Sequence, residues 1–120
     1  MTNADAANGN EGDPTPPQRG SLLSTWGVPD DIARVQYDSL VDLFSRGELS
    51  SRDRRLVTIS TLAALGCIEP LGLHVKMGLE TELSKAEIYE IILHVGFYAG
   101  MGRSTDAFHA TERAFSEAPD

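Results

Sequence analysis

The chain has 120 residues, 41% hydrophobic and 23% charged, with a formal net charge of −8. That length allows one domain and hardly two, with a poor enough surface-to-volume ratio that self-association would help to bury a core. The charge excludes a nucleic-acid backbone or an anionic membrane surface as partner, since either needs a concentrated Lys/Arg face. The single cysteine, Cys67, excludes an intrachain disulfide and a Cys-rich zinc framework, and fits a reducing cytoplasmic setting. No apolar run approaches the roughly 20 residues a membrane span needs. The first residues, MTNADAANGNEGD, have neither the basic nor the apolar region of a secretory leader.

Residues 1–22 are rich in Asn, Gly, Asp, Pro and Thr and carry no periodic apolar face. They read as a disordered, acidic, Pro-rich tail. The domain is expected over residues 23–118, with its ordered part opening near Leu22 and Trp26. Pro29 suits the first turn of a helix, and Asp30 and Asp31 suit its positive end. Ile32, Val35, Leu40, Leu43 and Phe44 form that helix's apolar stripe, and Gly47 ends it. Ser50 with Asp53 three residues later resembles a cap for a second helix that runs to Gly66. Pro70 marks the start of a third, with Leu71, Val75, Gly78 and Leu79 on its inner face. Ser84-Lys85-Ala86-Glu87 is a capping box for a fourth, whose inner side is Ile88, Ile91, Ile92, Val95 and Ala99. Gly100-Met101-Gly102 breaks it, and a last helix spans about Ser104 to Glu117 with Ala107, Ala110, Thr111 and Ala114 as a small-residue face. No segment has strand periodicity, so the fold class is all-α, a bundle of about five to six helices.

The residue types that can move protons lie on the third and fourth helices. Glu87, Glu90, His94 and Tyr98 share a stripe of the fourth, with Glu90 and His94 one turn apart. That stripe is either a solvated face or the polar wall of a pocket shared between subunits. His74 sits at the edge of the third helix's inner face, either as a partly buried structural histidine or as a proton shuttle. Cys67 and Glu69 precede it in one short elbow. A thiol at a helix start has a lowered pKa, and Glu69 either caps the helix or serves as an acid beside His74. Arg103, delivered by the Gly turn, can anchor a substrate carboxylate or be an ordinary exposed cation.

The ordered set Arg54-Arg55-Leu56-Val57-Thr58-Ile59, Ala63-Ala64-Leu65-Gly66, Glu69-Pro70-Leu71-Gly72-Leu73-His74, Ser84-Lys85-Ala86-Glu87-Ile88, Glu90-Ile91-Ile92-Leu93 and Tyr98-Ala99-Gly100 resembles the carboxymuconolactone decarboxylase family over about residues 35–116. The resemblance implies an alkylhydroperoxidase D-like helical fold that assembles as a homo-oligomer, a trimer or hexamer, with pockets near subunit contacts. One branch of that family decarboxylates a carboxylated lactone in aromatic catabolism. The other uses a C-x-x-C redox pair. Here Cys67 stands at the first redox position, but Pro70 stands at the second and Arg55 replaces the relay glutamate. A dithiol cycle needs two thiols, so the decarboxylase-like branch is the one implied.

The resemblance therefore implies a lyase without cofactor or metal, acting on a small carboxylated lactone or related oxygenated cyclic compound. His74 is its general acid, Glu69 or Glu90 the orienting partner, and Arg103 or Arg55 the carboxylate anchor. His94, Tyr98 and Cys67 complete the substrate-binding set. The alternatives are a tailoring enzyme on an aromatic or polyketide-like product, a non-catalytic oligomeric binding module, and a thiol-dependent peroxidase assistant. Two turns depart from the family pattern: Glu82-Leu83-Ser84 where many members have an N-G-V-T-like turn, and Gly100-Met101-Gly102 where they have G-V-P.

Overall fold

A computed structural model of the chain describes residues 27–117. The tail over residues 1–22, Leu22 and Trp26 lie outside them. The described residues form five helices and no strand: α1 (Asp30–Phe44), α2 (Ser51–Leu65), α3 (Ile68–Thr81), α4 (Lys85–Ala99) and α5 (Met101–Glu117). The described residues divide between two units, with the boundary between Arg46 and Gly47. Helix α1 belongs to the first and α2 to α5 to the second.

In α1 the acidic first turn carries Asp30 and Asp31, as the sequence suggested, and Pro29 is its N-cap. Most of its apolar stripe is exposed: Ile32, Val35 and Leu43 are open to solvent, while Leu40 and Phe44 are half-buried.

The second unit is a four-helix arrangement in which α2 packs on α3 and α4, and α5 packs on α3 and α4. Ser50 caps α2, its hydroxyl accepting from the Asp53 backbone N–H at 3.0 Å. Gly66 ends that helix in the left-handed region, with φ 76°, where a β-carbon would be strained. Helix α3 begins at Ile68 rather than at Pro70. Proline is tolerated there because the first turn of a helix has N–H groups without intrahelical acceptors. The capping box of α4 is complete: Ser84 Oγ accepts from Glu87 N–H, and the Glu87 carboxylate accepts from Ser84 N–H. Helix α5 starts at Met101, three residues before the expected start. Gly100, at φ 105°, makes the whole turn, and Gly102 is part of the first helical turn.

The core is made largely by the predicted inner faces of α3, α4 and α5, joined by residues of α2. Ile59, Leu71, Val75, Ile88 and Ile92 are fully buried, with Ala63, Ala107, Ala110 and Ala114 filling the narrower spaces. The small residues set helix spacing. A β-carbon on Gly96 of α4 would stand 2.9 Å from Ser104 Cβ of α5, and Ser104 Oγ donates to the Ile92 carbonyl at 3.2 Å. A β-carbon on Gly78 of α3 would press on Arg55 Cγ at 3.2 Å and Leu83 Cδ1 at 3.1 Å. The α3–α2 contact at Gly78 is thus shaped around an arginine stem.

Gly66 carries two constraints at once. Besides its positive φ, a β-carbon there would fall 1.9 Å from Arg103 Nη1. Gly66→Ala is expected to destabilise the domain by roughly 1–2 kcal/mol from the left-handed backbone alone, with a further cost for displacing the guanidinium. In an Arg103→Ala background the same substitution should cost measurably less. Urea unfolding of the four members of that double-mutant cycle checks it, and strict additivity would show that Arg103 does not rest on Gly66.

Candidate functional site

The residues nominated from the sequence fall into three places. The first lies inside the four-helix unit. His74, on the inner edge of α3, is 6% exposed and Arg55, on α2, is 7% exposed. Arg55 Nη1 lies 2.8 Å from His74 Nδ1. An arginine only donates, so Nδ1 is the acceptor and the ring's single proton belongs on Nε2. Burial lowers the His74 pKa, and the neighbouring Arg55 charge lowers it further, to about 4. The ring is therefore neutral at pH 7, which opposes its use as a resting imidazolium acid and leaves it a neutral N–H donor. The group that orients it is Arg55, not Glu69 or Glu90.

Arg55 is itself held. Its Nε donates to Glu82 Oε2 at 3.4 Å. Ser51 donates to the other oxygen of the same carboxylate at 2.9 Å, and Thr81 Oγ1 donates to Oε2 at 2.5 Å. Burial pushes the Glu82 carboxyl upward, but the hydroxyl hydrogen bonds and the Arg55 charge outweigh it and hold the pKa below the ordinary carboxylate value. One carboxylate, one guanidinium and one neutral imidazole thus form a chain of balanced charge, which makes burying the arginine tolerable.

The second place is an open groove of about 380 Å³ between α2 and α4. Arg52, Leu56 and Ser60 line it from α2, and Glu87, Glu90, Ile91, His94 and Val95 from α4. Their spacing is that of one face on each helix, three and four residues apart. Arg52 and Glu87 are ion-paired across it. Glu87 also accepts from the Ser84 backbone, and these contacts hold its carboxyl below the usual pKa range. His94 stacks on Tyr98, with ring centroids 5.3 Å apart, and Tyr98 is 84% exposed. Glu90 and His94 therefore do share a wall, while Tyr98 is not among the groove's lining residues and meets it only through its stacking on His94. Arg55 and His74 are not among the groove's lining residues.

The third place is the turn from α2 into α3. Cys67 is the half-buried N-cap of α3 and its thiol makes no capping hydrogen bond. Glu69 is exposed in the first turn of α3. Arg103, exposed on α5, lies against Gly66 at the C-terminus of α2, where a cation is favoured by the helix dipole. Among the described residues no three His, Cys, Asp or Glu side chains gather in a metal-binding arrangement, and no helix is long and apolar enough to cross a membrane.

Sequence reasoning did not find Glu82, Ser51 or the groove's Arg52 and Ser60. Glu82 lies 27 positions from Arg55, a separation with no periodic signature. Val95 is a core residue and Leu56 and Ile91 pack against the core, and the helix-pair geometry leaves an edge of each lining the groove.

The sequence profile of the carboxymuconolactone decarboxylase family matches residues 33–113. The chain is also similar to the 4-carboxymuconolactone decarboxylase of Acinetobacter baylyi, 37% identical over 87 residues, which cover 68% of this chain and 65% of that protein. The match thus spans just under two thirds of that relative's length.

The buried ring makes stability depend on pH. The unfolded ring takes up a proton near its ordinary 6.5, the folded one only near about 4. The unfolded state therefore binds more protons between these values, and stability is complete above about pH 6.5 and declines as pH falls toward 4. Between pH 7 and 5 this one group should remove about 2 kcal/mol. Urea unfolding at both values checks it: His74→Gln should flatten the loss, and an equal loss in both proteins would mean that the ring titrates normally.

Proposed function

The chain belongs to the carboxymuconolactone decarboxylase family, and on that premise we propose that it is a cofactor-free decarboxylase acting on a small carboxylated lactone or a related oxygenated cyclic compound. The observation that carries the reading is the buried His74–Arg55 contact. It joins a fixed positive charge to a neutral ring N–H, and decarboxylation develops negative charge on an oxygen.

The chemistry runs as follows. The bond between the ring carbon and the carboxylate breaks, CO₂ leaves, and the electron pair passes into the conjugated lactone carbonyl to give an extended enolate. One proton, taken up from solvent in the net reaction, then bonds to carbon. A preorganised donor aimed at the developing oxyanion lowers the barrier, because the dipole is in place before charge develops. His74 Nε2–H is that donor in this reading, and the Arg55 charge behind the ring strengthens it. Because the ring remains neutral, it acts as an electrophile and not as the acid the sequence alone suggested. His94 on the groove wall, Tyr98 stacked on it, Arg55, Arg103 and Cys67 remain the proposed substrate-binding residues, and they lie in three separate places of the fold.

We further propose that the protein is a homo-oligomer. Leu93, Phe97, Tyr98 and Met101 follow one another around α4 and into α5 and are 46%, 72%, 84% and 54% exposed. A cluster of large apolar side chains this open is costly in water and typical of an association surface. Light scattering should give a multiple of the chain mass, and Phe97→Asp should reduce it to one chain.

The enzymatic reading is tested by CO₂ release from carboxymuconolactone. His74→Ala should lower kcat by about 10²- to 10³-fold, the range for losing one oxyanion donor. Saturable binding without CO₂ release would make the protein a binding module instead. The pH profile separates the two roles of the ring. A neutral donor gives a rate that is flat from about pH 5 to 8 and falls only as the ring titrates near about 4. A rate that drops about tenfold per pH unit across that range would assign the reaction to the imidazolium.

A further inference from the structure

We propose that Glu82 is a positioning residue for this reaction: it grips Arg55 by its Nε edge and so turns the Nη1 edge onto His74 Nδ1. The inference rests on the reading of His74 as the group that faces the substrate.

Three observations carry it. The arginine stem has little freedom, because it lies against the backbone of α3 at Gly78, where a β-carbon would stand 3.2 Å from Arg55 Cγ. What remains to be set is the rotation of the planar guanidinium, whose edges present donors in fixed directions. Glu82 Oε2 takes the Nε edge at 3.4 Å, and Nη1 then reaches His74 Nδ1 at 2.8 Å. The carboxylate is also fixed from its other side. Ser51 holds Oε1 at 2.9 Å, Thr81 donates to Oε2, and the Glu82 side chain is only 14% exposed.

The placement of Glu82 is informative in its own right. It is the C-cap of α3, where a negative charge opposes the helix dipole. Its carboxylate instead reaches Ser51, the first residue of α2, where the dipole favours it. Local helix preference would not choose a glutamate here, while the ion pair to Arg55 requires one. The order of action is then Glu82 to Arg55 to His74, with Glu82 remote from the substrate and its effect transmitted through the ring it fixes.

The test uses the full chain labelled with ¹⁵N histidine, with the His74 ring signals identified by their loss in His74→Gln. In the parent, Nε2 should appear protonated and Nδ1 should show the shielding of a nitrogen that accepts a hydrogen bond. In Glu82→Ala, Nδ1 should move toward the position of an unbonded nitrogen. On carboxymuconolactone, kcat should fall about tenfold with KM within about twofold, the pattern of an outer residue that orients a working one. Glu82→Gln, which can still accept one hydrogen bond, should fall between. If Glu82→Ala does not fold, as judged by helical circular dichroism, Ser51→Ala removes one of the carboxylate's donors and should shift Nδ1 in the same direction by less. An unmoved Nδ1 signal overturns the proposal, and so does a moved signal with unchanged kcat. A parent protein that releases no CO₂ would instead sink the decarboxylase reading, and the ring signal alone would then decide whether Glu82 sets Arg55 against His74.

Discussion

The contact between Arg55 and His74 constrains the rest of the second unit. A guanidinium cannot lose its charge, so a buried arginine must meet acceptors or the domain loses several kcal/mol. Here the acceptors include an imidazole nitrogen and one carboxylate. That requirement fixes the tautomer of the ring, keeps it neutral, places Glu82 at the end of α3, and leaves Gly78 without a side chain where the arginine stem passes. The geometry of α2 against α3 is in this sense built around one cation.

The same constraint decides what kind of chemistry the ring can do. An exposed histidine would alternate between charged and neutral forms near pH 6.5 and serve either as acid or base. Burial and the adjacent charge shift this ring to about 4, so across the neutral range it presents a fixed N–H dipole. Such a dipole suits stabilisation of an enolate oxygen. The family relationship supports a decarboxylase-like role, and the electrostatics of the buried pair are compatible with it.

The groove between α2 and α4 is a separate feature of the same helices. Glu87, Glu90 and His94 among its polar residues are those that the sequence placed on one stripe of α4, and its apolar residues belong to the core or pack against it. The Arg52–Glu87 pair spans it, and Glu87 simultaneously caps α4. A single glutamate thus couples the start of one helix to the flank of another. Past the groove, α4 turns toward solvent a face that holds large apolar side chains.

The sequence by itself determined the helices and most of their ends, though α3 and α5 begin earlier than it suggested. Ser50, Gly66 and the Ser84–Glu87 box act through hydrogen bonds or backbone angles within a few residues, so they are legible without a fold. The period of Leu71, Val75, Ile88 and Ile92 likewise named much of the core, because helical repeat and burial coincide. The family pattern singled out His74 and Arg55 as separate candidates. Only the tertiary structure decided that they touch, that Glu82 supports them, that Glu69 and Arg103 stand elsewhere, and that the ring is neutral. Those facts depend on residues 19 and 27 positions apart meeting across helices, and on the loss of water around them. Neither the meeting nor the desolvation leaves a trace in local sequence.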